Sequence, residues 1–249
     1  MAPEKLPAVT ADAGLEMKAA LLAEKLGTDF LPSEEATGQE VFLRLSEDGL
    51  SLTDGKLELK GDFSALLPRL KCANLRQELL VKAAKIKTGE RMPLAVDATA
   101  GLGEDSLLLA AAGFRVLLFE YDPVIAALLR DAMERAAALP ALSEAVARME
   151  LRCGDSISAL PSLPFTPDVV LLDPMFPERQ KSASVKKKFQ LLHRLEQPCA
   201  EEDALLKAAL ASGAHKILIK RPAKGPLLAG RKVSYSLGGK AVRYDVIVQ

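Results

Sequence analysis

The sequence predicts an α/β protein, an open and mostly parallel sheet with helices on both faces and an antiparallel hairpin at its end, preceded by a small α+β domain. Two features lead there. From Pro93 onward short apolar runs alternate with helical segments, whereas the first 70 residues hold one helical repeat and then strand-like runs separated by Asp-Gly pairs.

The small domain is expected over 1–70. Apolar positions recur at helical spacing over 15–26 and stop at Gly27, a residue that readily takes the left-handed angles of a helix end. Strands are expected at 41–45, 50–53 and 56–59, because Asp48-Gly49 and Asp54-Gly55 between them suit tight hairpins. A helix over about 75–87 leads into the second domain, 71–249. There, apolar runs at 94–98, 116–119, 149–153, 169–172 and 216–220 read as strands covered on both faces. Helices are expected at 104–112, 123–138, 184–196 and 201–212. Runs at 232–237 and 241–248 flank Gly238-Gly239 and predict the closing hairpin.

Composition narrows the class. With 49% hydrophobic and 27% charged residues the chain reads as a soluble globular protein, and no run approaches the eighteen or so apolar residues of a membrane span. The N-terminus leads into no apolar signal core, so a cytoplasmic location is expected. Cys72, Cys153 and Cys199 form no Cys-x-x-Cys pair and read as reduced thiols; no metal is expected. Net charge is zero, but unevenly spread: residues 1–62 carry 13 acids against 6 bases, while 204–244 carry nine bases and no acid. Such an acid-free stretch bears on function only if a site lies beside it.

Four strand ends carry the candidate chemistry. The first strand runs through Asp97 into Gly101-Leu102-Gly103 and then a helix, the arrangement by which parallel sheets let a ligand approach the backbone. A dinucleotide site would place a third glycine where Ser106 stands, which disfavours a nicotinamide-dependent oxidoreductase. Glu120 ends the second strand, where a carboxylate can accept hydrogen bonds from both hydroxyls of a ribose; that position suits an adenosyl group or a dinucleotide alike. Asp155-Ser156 follows the third strand and could contact an adenine amino group, or Asp155 could cap a helix. The fourth apolar run ends in Asp173-Pro174-Met175-Phe176-Pro177. Here an acid and the carbonyl of Pro174 can accept the hydrogens of an amine attached to a flat ring, and Phe176 can stack on that ring.

The first motif resembles that of class I methyltransferases, which bind S-adenosylmethionine. The last resembles the Asp/Asn-Pro-Pro-Tyr/Phe signature of amino-directed methyltransferases, with Met175 in place of the second proline. Taken with Lys181-Ser182-Ala183, Lys186-Lys187 and Lys220-Arg221-Pro222, most of the chain is similar to the RsmJ family of bacterial small-subunit ribosomal RNA guanine-N2 methyltransferases. That resemblance implies a Rossmann-like class I methyltransferase sheet. It further implies that Glu104, Asp105, Glu120, Tyr121, Asp155, Ser156 and Asp173 contact S-adenosylmethionine. The class I likeness places Asp97, Gly101 and Gly103 at the turn that faces the amino-acid portion of that cofactor, and the likeness to the amino-directed signature makes Asp173, Pro174 and Phe176 the residues that receive the base. Arg76, Glu78 and Lys82 fall where the family has Arg-x-Glu-x-x-x-Lys. Ala73-Asn74-Leu75 replaces a glycine-rich run of the family, and Tyr121 and Asp155 replace its more usual residues.

Arg179, Lys181, Lys186, Lys187, Lys220 and Arg221 are expected to bind the phosphates of ribosomal RNA or of the small ribosomal subunit beside an extruded base. Three other readings compete: an amine methyltransferase for another RNA, a protein or a small molecule; the oxidoreductase; and a non-enzymatic RNA-binding protein.

Overall fold

The computed structural model describes residues 6–36, 38–174 and 202–249. Among these, one compact unit takes in residues 6–62 together with Asp122–Arg135. Its sheet has the order β1 (Ala8–Ala11), β2 (Phe42–Ser46), β3 (Gly49–Thr53), β4 (Glu58–Leu59). The three later strands form the expected antiparallel meander. Its turns have the expected chemistry: Gly49 has φ 117°, and the Asp54 carboxylate accepts from the backbone of Lys56 and Leu57 at 2.9 and 2.8 Å. β1 was not expected. It pairs parallel to β2, a contact between segments far apart in sequence that no hairpin signal announces. The helix Glu16–Leu26 ends at Gly27 with φ 68°, as the sequence suggests.

The second unit takes in Phe63–Tyr121, residues 136–174 and 202–249. It holds β5 (Leu94–Asp97), β6 (Arg115–Glu120), β7 (Met149–Cys153), β8 (Val169–Leu172), β9 (Lys216–Pro222), β10 (Tyr235–Gly238) and β11 (Val242–Val248). Their order is β10-β11-β9-β8-β5-β6-β7. The five strands from β7 to β9 are mutually parallel; β11 runs antiparallel to both β9 and β10, so the predicted hairpin is present. Val96 and all four residues of β8 are buried, which explains why these strands read as unbroken apolar runs. Because β5, β6, β8 and β9 are parallel, Asp97, Glu120, the residue after Leu172 and Lys220 arrive at one edge of the sheet.

Two expectations need correcting. The helix expected at 75–87 is two short helices, Cys72–Leu75 and Leu79–Ala84, and Glu78 between them is extended with ψ 130°. The cause is tertiary: Arg69 donates twice to the Glu78 carboxylate, at 2.8 and 2.9 Å, and the break brings that carboxylate to the guanidinium. The region after the helix Pro123–Ala137 also contains a further helix, Pro140–Val146, with proline in its first turn. The helix expected at 184–196 lies outside the described residues. Among the described residues no helix is long and apolar enough to cross a membrane.

Candidate active site

The glycine turn after β5 is fastened from three sides. Asp97 is buried; its carboxylate accepts from Ser106 Oγ at 2.7 Å and from the Thr99 amide at 3.2 Å. Burial outweighs these bonds and raises the Asp97 carboxyl to about 7, with the nearby charges of Asp105 and Asp173 adding to the rise. Asp97 therefore shapes the turn from beneath. Ser106, which in the sequence served only to disfavour a dinucleotide, is its buried partner. The second fastening comes from β6, where Phe119 O accepts from the Ala100 amide at 3.0 Å and the Glu120 carboxylate from the Gly101 amide at 2.8 Å. Gly101 and Gly103 have φ of 54° and 76°, angles that disfavour any residue with a Cβ, and open space lies where a Cβ on Gly101 would point.

The third fastening reaches the acid-proline turn. Thr99 Oγ1 accepts from the Asp173 amide at 2.7 Å, while the Ala98 amide donates to Leu171 O at 3.0 Å. The glycine turn and Asp173 are thus bonded neighbours. Thr99 escaped the sequence reading, and only its place between Asp97 and Gly101 could have marked it. Pro174, next in the chain, is buried. Phe176, Arg179, Lys181, Lys186 and Lys187 lie outside the described residues.

Around this core, Glu104 is exposed and Asp105 half-buried in the first turn of the helix Glu104–Ala111. Tyr121, at the end of β6, is 77% exposed. Asp155 is a helix cap: its oxygens accept from the amides of Ile157 and Ser158 at 2.9 and 3.1 Å and from Ser158 Oγ at 2.5 Å. Although burial opposes it, these three donors hold the Asp155 carboxyl below its ordinary range. Ser156 is buried at the start of that helix. Of the two roles considered for Asp155, the cap is therefore filled. Glu78 is occupied by Arg69, whose hydrogen bonds hold its carboxyl low. Lys82 Nζ donates to Gln77 Oε1 at 2.8 Å, and Arg76 is exposed.

The two cations expected to meet phosphate at the end of β9 are engaged within the fold, Lys220 half-buried and Arg221 buried. Lys220 Nζ lies 2.7 Å from Asp105 Oδ2 and 2.9 Å from Asp173 Oδ2. Arg221 is buried, donating to Pro226 O at 2.9 Å and Glu202 Oε1 at 3.3 Å. Adjacent strand residues point to opposite faces, so the two side chains leave β9 on different sides of the sheet, Lys220 toward the carboxylates and Arg221 toward Pro226 and Glu202.

This edge suits a ligand with a cationic centre, an amino group and a ribose. Glu104, Asp105 and Asp173 supply negative charge, Glu120 offers a carboxylate at the second strand end, and Gly101 leaves room beside the backbone. A family model described as "Putative SAM-dependent methyltransferase" matches residues 9–249. Fold and site together thus define an S-adenosylmethionine-dependent methyltransferase of class I architecture, with S-adenosylmethionine as cofactor. Over 231 residues the chain is 40% identical to ribosomal RNA small subunit methyltransferase J of Pseudomonas aeruginosa (strain UCBPP-PA14), covering 90% of this chain and 87% of that protein. It is 43% identical over 223 residues to the protein of the same name from Thioalkalivibrio sulfidiphilus, covering 86% and 87%. The crystal structure of the SAM-dependent methyltransferase NGO1261 from Neisseria gonorrhoeae superposes with a TM-score of 0.77 at 30% identity, over 97% of this chain and 95% of that one. The chain belongs to the family of ribosomal RNA small subunit methyltransferase J.

Proposed function

We propose that this protein methylates the exocyclic N2 of a guanine in small-subunit ribosomal RNA, working in the cytoplasm on the RNA or the assembled subunit. The observation that carries the reading is the 2.7 Å bond from the Asp173 amide to Thr99 Oγ1, which makes the acid-proline turn and the glycine turn one structure. The bound cofactor supplies an electrophilic methyl group on a sulfonium. An amine attached to a purine is a poor nucleophile because its lone pair is delocalised into the ring. The Asp173 carboxylate and the Pro174 carbonyl, accepting its two hydrogens, draw the nitrogen toward the methyl carbon, and Phe176 is proposed to hold the ring face-on. The nitrogen–carbon bond forms as the carbon–sulfur bond breaks; the proton then leaves the nitrogen for Asp173 or water. Orientation of this kind contributes roughly 7–11 kcal/mol in favourable cases.

Glu120 is proposed to accept from the ribose hydroxyls, and Gly101, Gly103, Glu104 and Asp105 to face the amino-acid portion of the cofactor, with Tyr121 and Ser156 beside the adenine. Arg179, Lys181, Lys186 and Lys187 remain the proposed phosphate contacts. The relatives' name supports RNA as the substrate over a protein or small-molecule amine. The test is to incubate the protein with tritiated S-adenosylmethionine and small subunits from cells lacking it, then map the label. A single guanine N2 is expected to carry it, and Asp173→Ala is expected to transfer at least about 10²-fold more slowly while remaining folded. Label on another base, or an unimpaired Asp173→Ala variant, overturns the proposal.

A further inference from the structure

Lys220 sits where neither a phosphate contact nor ordinary packing explains it. Its side chain is 26% exposed and its ammonium lies between two carboxylates carried by different elements, Asp105 on the helix after the glycine turn and Asp173 on the turn after β8. On the neighbouring strand its register partner is the buried Tyr244. Among the described residues Arg69, bonded to Glu78, is a further cation that interacts with the charge of Asp105. Without an intervening cation, two carboxylates this close repel, and each would turn toward water. A lysine suits the place because its ammonium is a compact point charge that can donate to two acceptors at once, whereas a guanidinium presents a planar fork.

From this geometry we infer that Lys220 is a positioning residue for methyl transfer, an ammonium clamp that fixes the Asp173 carboxylate by its Oδ2 atom and couples it to Asp105 on the cofactor side. The inference rests on the proposed role of Asp173 as acceptor of the target amine, and it replaces the expectation that Lys220 binds RNA. Removing the clamp deletes no group that touches substrate but lets the Asp173 acceptor turn away from the amine. Misplacement by about 1 Å can cost about 10²-fold in rate.

The experiment compares wild type, Lys220→Met and Lys220→Arg in single-turnover methyl transfer to small subunits at saturating RNA, with RNA affinity measured across a salt series. Lys220→Met is expected to lower the rate about 10²-fold while the slope of log affinity against log salt stays at the wild-type value, and Lys220→Arg, which keeps the charge, is expected to recover part of the rate. A purely structural lysine would lower the melting temperature without separating the two variants in rate per folded molecule. Unchanged transfer in Lys220→Met overturns the inference. So does a retained rate with a salt slope shallower by about 0.7, which marks a lost phosphate contact. Crystal structures of wild type and Lys220→Met supply an arm independent of substrate: the Asp173 carboxylate is expected to swing away from Asp105 in the variant, and unmoved carboxylates overturn the clamp. If wild type fails to label ribosomal RNA, the proposed function falls, and the crystallographic arm still decides the role of Lys220.

Discussion

The two edges of the seven-stranded sheet spend the same residue types on opposite ends. At the amino edge Asp168, buried just before β8, accepts from both terminal nitrogens of Arg91 at 2.5 and 2.6 Å and from the Leu94 amide at 2.8 Å. Lys216, at the start of β9, donates to Ala83 O and Lys85 O at 3.3 and 2.7 Å. At the carboxyl edge Asp97, Asp105, Glu120 and Asp173 crowd around a glycine turn with Lys220 among them. The hydrogen bond from Arg91, foremost, holds the Asp168 carboxyl below its usual range, whereas burial lifts that of Asp97 to about 7. One edge gives these charges hydrogen-bonding partners within the fold and stabilises it. The other concentrates negative charge that folding alone does not need, the usual mark of a site built for a ligand.

The comparison is sharpest in its pH dependence. Asp97 has a folded value above its unfolded one of about 3.9, so it binds more protons in the native state between about pH 4 and 7, and stability from this group falls as pH rises through that window. Asp97→Asn retains acceptor and donor for Thr99 and Ser106 and removes the titration. Its stability relative to wild type is expected to rise between pH 4 and 7, by on the order of 4 kcal/mol, and to level off above, as measured by urea unfolding. Parallel pH curves for the two proteins would erase the contrast. Asp168 behaves in the reverse sense: its contribution is present above about pH 4 and is lost as pH falls through its lower folded value. Asp168→Ala is expected to cost about 2–3 kcal/mol at neutral pH, through the lost charged hydrogen bonds, yet to leave cofactor affinity unchanged in calorimetry. Weakened cofactor binding in that variant would show that the edges do not divide labour.

The same contrast explains what could be read from the sequence. β5, β6, β8 and β9 were legible because strands covered on both faces are mostly apolar, whereas β7, expected to be covered likewise, is the edge strand and leaves Glu150 and Arg152 largely in solvent. The strand ends bearing Asp97, Glu120 and Asp173 were legible because an acid closing such a run needs a reason. Partners brought from elsewhere in the chain were not legible. Nothing local to Arg76-Gln77-Glu78 breaks the helical spacing of Leu75, Leu79, Leu80 and Ala83; the break comes from Arg69. Lys220-Arg221 looked like a basic patch, since composition does not reveal that β9 lies under helices on one face and beside Tyr244 on its neighbour. β1 has only four residues and finds its partner in parallel, 34 positions on, at Phe42. Thr99 and Ser106 are ordinary residues whose weight lies wholly in what they bond.

Thr99 offers the most direct measurement, because the account requires its hydroxyl to join the turn that holds the methyl donor to the turn that holds the amine. Thr99→Ser keeps that acceptor, and its single-turnover methyl transfer should remain close to wild type. Thr99→Val removes it, and transfer should slow about tenfold, the equivalent of about 1.4 kcal/mol, with cofactor affinity little changed. Equal rates in the two variants would contradict the claim that this bond builds the site.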